Sequence, residues 1–235
     1  MHELMPYTRI RGRRDAALVF TCEHASNRLP EPWSWHEEDH RLVDTHWASD
    51  IGAAAFTRRM ASLLDAPAVL SEFSRLLVDP NRPLDSATLF RREAEGRPVQ
   101  LNASLDEEER QRRLEGLYHP YHDAVREMVG QSTAEFVFGV HTFTAEYEGQ
   151  RRSLEVGILF DDEHVAALQL VERLRAAGFD AAPNEPYSGK EGLAYSPVHH
   201  ARALGRRALE IEVRQDLVVD EDFAERLAAA LADFF

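Results

Sequence analysis

Ala17–Leu18–Val19–Phe20–Thr21 runs directly into Cys22–Glu23–His24–Ala25–Ser26–Asn27. A continuous apolar run of this length, closed by polar residues, is the pattern of a strand buried on both faces. A Pro- and Trp-rich loop follows, and Asp44 to Leu64 reads as a helix with Trp47, Ile51 and Ala55 on one stripe. Pro67 breaks that helix, and Ala68 to Phe73 reads as a second strand. Ser104–Leu105–Asp106–Glu107 has the form of a capping box opening a helix to about Gly130. Further strands are expected at Phe136 to Val140, at Leu154 to Phe160 and around Leu209, Ile211 and Val213. Between and after them lie a helix from Glu163 to Ala177, closed by Gly178, and a last helix from about Glu221. Alternating strands and helices predict a single α/β domain spanning 1–235. Its sheet is mixed but mainly parallel, with helices on both faces, and a short flexible N-terminus covers about 1–14.

The 235 residues are enough for one substantial core, and their formal net charge of −14 opposes a surface built to grip nucleic acid or anionic lipid. With Cys22 as the lone cysteine, neither a disulfide framework nor a cysteine-rich zinc site can form. The apolar run from Ala16 to Cys22 is too short to span a bilayer and has no small-residue cleavage site after it. A soluble cytoplasmic protein acting on a small molecule is expected, with no nucleic-acid or membrane partner.

Open α/β sheets bind ligands beyond the carboxyl ends of their strands, and two strands here end on a histidine, His24 and His141. A third carries Glu210 and Glu212. Histidines and a carboxylate converging at one edge would hold a zinc ion by three ligands and leave a position for water. His46 and Asp50 stand at i, i+4 in the expected helix; Asp50 is the better ligand, and His46 is a supporting partner or an alternative ligand. Asp44 is a rival that also suits a helix N-cap.

Arg75, Asn81 and Arg82 form a dense polar cluster suited to clamping a carboxylate, although an Asp79–Arg82 turn salt bridge explains the same residues. Glu212, two residues before Arg214, fits a general base; a charged strand face turned to solvent has the same pattern. Tyr187, in the loop Asn184 to Ser188, is either a substrate hydrogen-bond donor or a packed loop aromatic.

Taken in order, these stretches resemble the N-formylglutamate amidohydrolase family. The matching residues are Cys22 to Asn27, His46 to Gly52, Ser74–Arg75–Leu76 through Asp79, Asn81–Arg82–Pro83, His141 to Thr144, Asn184 to Ser188 and Glu212 to Leu217. The resemblance covers about residues 17 to 217 and implies a phosphorylase/hydrolase-like fold related to zinc carboxypeptidases. It further implies one zinc ion on His24, Asp50 and His141. Arg75, Asn81, Arg82, Arg214 and Tyr187 would meet the substrate, and Glu212 would act as general base and then acid.

His46 and Asn27 would stand behind the ligands. Asn27 occupies the position where the carboxypeptidase pattern has a glutamate ligand, so the carboxylate must come from Asp50, Asp44 or Glu23. Ala145 stands where the family tends to have proline. The expected activity is hydrolysis of an N-formyl or N-acyl amino acid such as N-formylglutamate. The alternatives are a zinc carboxypeptidase or peptidoglycan-type amidase, and a non-catalytic small-ligand binding protein.

Overall fold

The computed structural model describes residues 5–147 and 149–235. Seven strands form its main sheet: β1 (Tyr7–Ile10), β2 (Leu18–Cys22), β3 (Ala68–Ser71), β6 (Phe136–Phe143), β9 (Val156–Leu159), β10 (Ala181–Pro183) and β11 (Arg207–Arg214). Two small hairpins, β4 (Glu93–Ala94) with β5 (Arg97–Pro98) and β7 (Glu146–Tyr147) with β8 (Gln150–Arg151), stand apart from it. The helices are α1 (Ala53–Leu63), α2 (Glu107–Arg113), α3 (His119–Gln131), α4 (His164–Ala176), α5 (Tyr195–Ala203), α6 (Gln215–Val218) and α7 (Glu221–Ala232). Among the described residues no helix is long and apolar enough to cross a membrane.

The order across the sheet is β1-β3-β2-β6-β11-β9-β10. Pairing is parallel except at β1 with β3 and β11 with β9. Side chains alternate between the faces of a strand, and this rule sorts the core into two layers. Leu18, Phe20, Phe136, Phe138, Leu209 and Ile211 join α1, α4 and α7 on one face. Val19, Val137 and Ala208 join α3 and α5 on the other. Two and four residues further along that second face, apolar residues give way to Gly139, His141, Glu210 and Glu212. The polar row is thus the upper end of an otherwise apolar stripe.

Several expectations are corrected. Tyr7–Ile10, inside the segment expected to be flexible, is an edge strand paired with β3. The helix expected from Asp44 begins only at Ala53, and Asp44 to Gly52 is a series of turns. Other segments take the peptide groups of those turns: the Asp50 N–H donates to the His24 carbonyl at 2.9 Å, and the Ala48 carbonyl accepts from Arg75 and Ser74. Gly52, at φ 87°, then turns the chain into α1. The cap of α2 is Asp106 rather than Ser104, its carboxylate accepting the Glu109 N–H at 2.8 Å. A one-turn π segment at Leu114–Tyr118 separates α2 from α3.

Candidate metal centre and its cavity

His24 lies two residues beyond β2, and His141 sits on β6 directly opposite Glu212 of β11. Each imidazole is oriented by a buried carboxylate: His24 Nε2 donates to Asp79 at 2.8 Å, and His141 Nε2 donates to Glu23 at 3.0 Å. With the proton on Nε2, each ring presents the lone pair of Nδ1. The two Nδ1 atoms are 3.1 Å apart. Asp50 Oδ2 completes a triangle, 2.9 Å from His141 Nδ1 and 3.3 Å from His24 Nδ1. Three electron pairs converging this closely repel one another unless a cation lies between them. Donors on a tetrahedral zinc, at bonds of about 2.0–2.1 Å, stand roughly 3.3 Å from each other, so this triangle fits such an ion.

Charge around the triangle points the same way. Burial lowers the pKa of His141, but the Glu210 charge and the hydrogen bonds of Asp50 and Glu23 overcome it and hold the ring well above its usual range. Burial would raise the carboxyls of Asp50 and Glu23. The two imidazoles outweigh it at Asp50, which lies far below the carboxylate range, and His141 draws Glu23 down to about 2. The cluster therefore demands positive charge, as a proton or as a metal cation.

Asp50 is fixed from three further sides. Its Oδ2 accepts the Thr142 N–H at 3.3 Å, its Oδ1 meets Arg75 at 3.4 Å, and its own N–H is held by His24. The other candidate carboxylates are placed elsewhere. Asp44 is exposed and accepts from Asn27 Nδ2 at 3.4 Å, while Glu23 lies behind His141. Asn27 also donates to the Val43 carbonyl at 2.9 Å; it pins a loop and does not contact the triangle.

A cavity of about 220 Å³ opens above the triangle, with His24, Asp50, His141 and Glu212 among its lining. Glu212 Oε2 is buried and has no hydrogen-bond partner among the described residues. Burial, with the charges of Asp50 and Glu210 added, outweighs His141 and pushes the Glu212 carboxyl well above the usual carboxylate range. Glu210, raised to about 7 chiefly by burial, lies beneath His141. Gly139 makes room for it: a Cβ there would stand 3.0 Å from Glu210.

The expected substrate contacts divide. Arg75 borders the cavity, but its guanidinium forms a fork on Asp79 at 2.9 and 3.2 Å and is thereby committed to the carboxylate that orients His24. The Asn81 amide is likewise committed, donating to the Leu193 carbonyl at 3.0 Å and accepting the Ser196 N–H at 2.8 Å. Arg82 also borders the cavity and bonds its neighbour's carbonyl at 2.7 Å and Thr88 at 3.3 Å. The Asp79–Arg82 salt bridge does not form, because Asp79 faces His24, Arg75 and the Asn81 N–H.

Tyr187 lines the cavity and accepts from Arg152 at 3.4 Å. Arg214 does not line it: as the last residue of β11 it extends its guanidinium onto Asp216 and the carbonyls of Arg152 and Ser153. His46 faces the cavity beside Trp47, and burial, then the Arg75 charge, lower its pKa. Sequence reasoning passed over Asp79 as the support of His24, and it named Glu210 among the strand's carboxylates without placing it beneath His141. The available signal for Glu210 was its place two residues before Glu212, on the same strand face.

With this geometry in place, comparison with known proteins defines the class: the chain is an enzyme that hydrolyses amides. A sequence model of the N-formylglutamate amidohydrolase family matches residues 16–219, and the protein belongs to that family. The structure is similar to that of gene product Atu2144 from Agrobacterium tumefaciens, with a TM-score of 0.88 and 29% identity over 99% of this chain and 94% of that one. It shares its fold with N-formylglutamate amidohydrolase from Ralstonia eutropha JMP134, with a TM-score of 0.74 and 20% identity over 98% and 96% of the two chains. No curated protein matches the sequence significantly.

Proposed function

We propose that the protein hydrolyses the amide bond of an N-formyl or N-acyl amino acid, with one zinc ion held by His24, Asp50 and His141. The observation that carries this reading is the triangle of Nδ1, Nδ1 and Oδ2 lone pairs beside the unpartnered Glu212 carboxylate. A bound zinc ion supplies Lewis acidity, polarising an amide carbonyl and acidifying water. Glu212 takes the proton of the attacking water as its oxygen bonds to the carbonyl carbon. The same carboxyl then gives that proton to the nitrogen as the C–N bond breaks. Its raised pKa suits it to hold the proton between those two steps.

Arg82, with no carboxylate partner of its own, receives the carboxylate of the amino acid. Tyr187 offers a hydroxyl from the opposite loop. The cavity, at about 220 Å³, is below the roughly 300–1,000 Å³ of sites for drug-sized ligands, which favours a single amino acid over a peptide.

Metal analysis combined with a screen of N-formyl and N-acetyl amino acids tests the proposal. One zinc per chain is expected, with activity abolished by a chelator, restored by zinc and directed at N-acyl amino acids. Turnover that persists after complete metal removal would overturn it.

A further inference from the structure

Three arginines, Arg75, Arg82 and Arg91, reach the cavity from the single stretch between Ser74 and Arg92. That stretch is folded onto itself. The Asp79 N–H donates to the Leu89 carbonyl at 2.9 Å, and the buried Asn102 amide bridges the carbonyls of Leu76 and Arg91, each at 2.8 Å. Asn102 is itself held by Arg113 at 2.6 Å. The backbone that presents the arginines is therefore set before any ligand arrives.

The three cations are compensated unequally. Arg75 is bound to Asp79 and Asp50, and Arg82 has two neutral acceptors. The Arg91 guanidinium has no hydrogen bond or ion pair among the described residues; its contact is the face of Trp47, 5.1 Å from guanidinium carbon to ring centroid. Stacking on an aromatic face leaves the N–H edge of a guanidinium free for a planar anion. Burial and the charges of Arg75 and Arg82 all weigh against the Arg91 cation, a strain that an anion in the cavity relieves. Trp47 lies three residues before Asp50 in the same run of turns, so the platform is tied to the metal triangle.

We infer that Arg91, stacked on Trp47, is the specificity-determining residue that binds a second, side-chain carboxylate of the N-acyl amino acid, while Arg82 takes the first. This rests on the proposal that the cavity holds an N-acyl amino acid. A ligand with one carboxylate leaves Arg91 unpaired in the cavity wall, and a ligand with two neutralises both cations.

The test compares the zinc-loaded wild type with Arg91→Gln and Arg91→Lys on N-formyl-L-glutamate and N-formyl-L-glutamine, which match in shape and differ by one charge. In Arg91→Gln the preference for the charged substrate, taken as a ratio of KM values, falls about 10- to 100-fold, the effect of one charge-assisted contact. Arg91→Lys, which keeps the charge and loses the fork, recovers part of the preference. Calorimetric binding of L-glutamate against L-glutamine measures the same preference without turnover. If no amide is cleaved but Arg91→Gln loses the binding preference, the functional proposal fails and the assignment of Arg91 stands. A wild type that binds neither probe or does not discriminate between them, or an Arg91→Gln variant that discriminates as well as wild type, overturns it.

Discussion

Asp79→Asn replaces one carboxylate oxygen by an NH2 group at nearly constant volume. In the wild type both oxygens accept, and of their partners only His24 could change its role, by moving its proton. Oδ1 takes His24 Nε2 at 2.8 Å and the Asn81 N–H at 2.9 Å, and Oδ2 takes Arg75 at 2.9 and 3.2 Å. The new amide fits neither way round. With its oxygen towards Arg75, its NH2 opposes the Asn81 N–H and drives His24 to the tautomer whose proton sits on Nδ1, where a metal must bind. With its oxygen towards His24, its NH2 faces the guanidinium, which then keeps only the 3.4 Å contact to Asp50.

Loss of an outer partner of a metal-binding histidine typically lowers metal affinity about 10- to 100-fold, equivalent to about 1.4–2.7 kcal/mol. Breaking a buried ion pair costs about 3–5 kcal/mol, and the share of Asp50 in holding Arg75 places this case at the lower end. Competition with a fluorescent zinc chelator measures the first quantity, and urea unfolding of the zinc-free protein measures the second. Zinc affinity within about twofold of wild type, with an unchanged urea midpoint, would show that Asp79 does not position His24.

Glu212→Gln should retain zinc and lose roughly 10²–10⁴ in turnover, measured as kcat beside metal content; full activity would remove Glu212 from the chemistry. His122 and His200, 2.8 Å apart and buried between α3 and α5, have pKa values lowered by burial, then by their histidine neighbours, to about 3 and about 4. Their folded values lie below the unfolded value of about 6.5, so their stabilising effect is full above that pH and is lost as pH falls from there towards 4. Urea unfolding of zinc-free protein from pH 7 to 5 should show this loss, and His200→Gln should flatten the slope by up to about 1.4 kcal/mol per pH unit; an unaltered slope would count against it. A Cβ at Gly157 would stand 1.8 Å from the Glu185 carbonyl oxygen. Gly157→Ala should therefore push the Tyr187 loop off β9, costing about 1–3 kcal/mol in thermal unfolding and raising KM more than kcat.

The layered α/β plan was legible because local rules govern it. Apolar runs of strand length such as Leu18 to Cys22 keep their character wherever they pack, and the alternation along Leu209 to Val213 marks one face directly. The strand-end histidines could be named for the same reason. Asp50 was named on an i, i+4 argument in a helix that does not extend so far, and it reaches the triangle through a turn held by His24. Asp79 and Glu210 acquire their roles only through contacts with residues 55 and 69 positions away or more, which no local pattern encodes. Arg214 was assigned by its nearness in sequence to Glu212, whose strand face it shares, but at the end of β11 its guanidinium is taken by Asp216 and by the carbonyls of Arg152 and Ser153, partners that the strand pattern does not encode. Asn81 and Arg75 look free in sequence, and their donors prove to be taken once distant segments fold against them.

His141 and Glu212 stand on β6 and β11, and His24 lies two residues beyond β2; these three strands are consecutive at the centre of the sheet and have no open edge. The arginines, Trp47 and Tyr187 hang from separate connections outside it. On the proposed function, the reacting groups are therefore anchored mainly to the most protected part of the sheet, whereas those that would choose the substrate lie in loops that can be rebuilt one by one; the two meet in the run of turns that holds both Trp47 and Asp50. A scaffold divided in this way can change its diet without relearning how to cut.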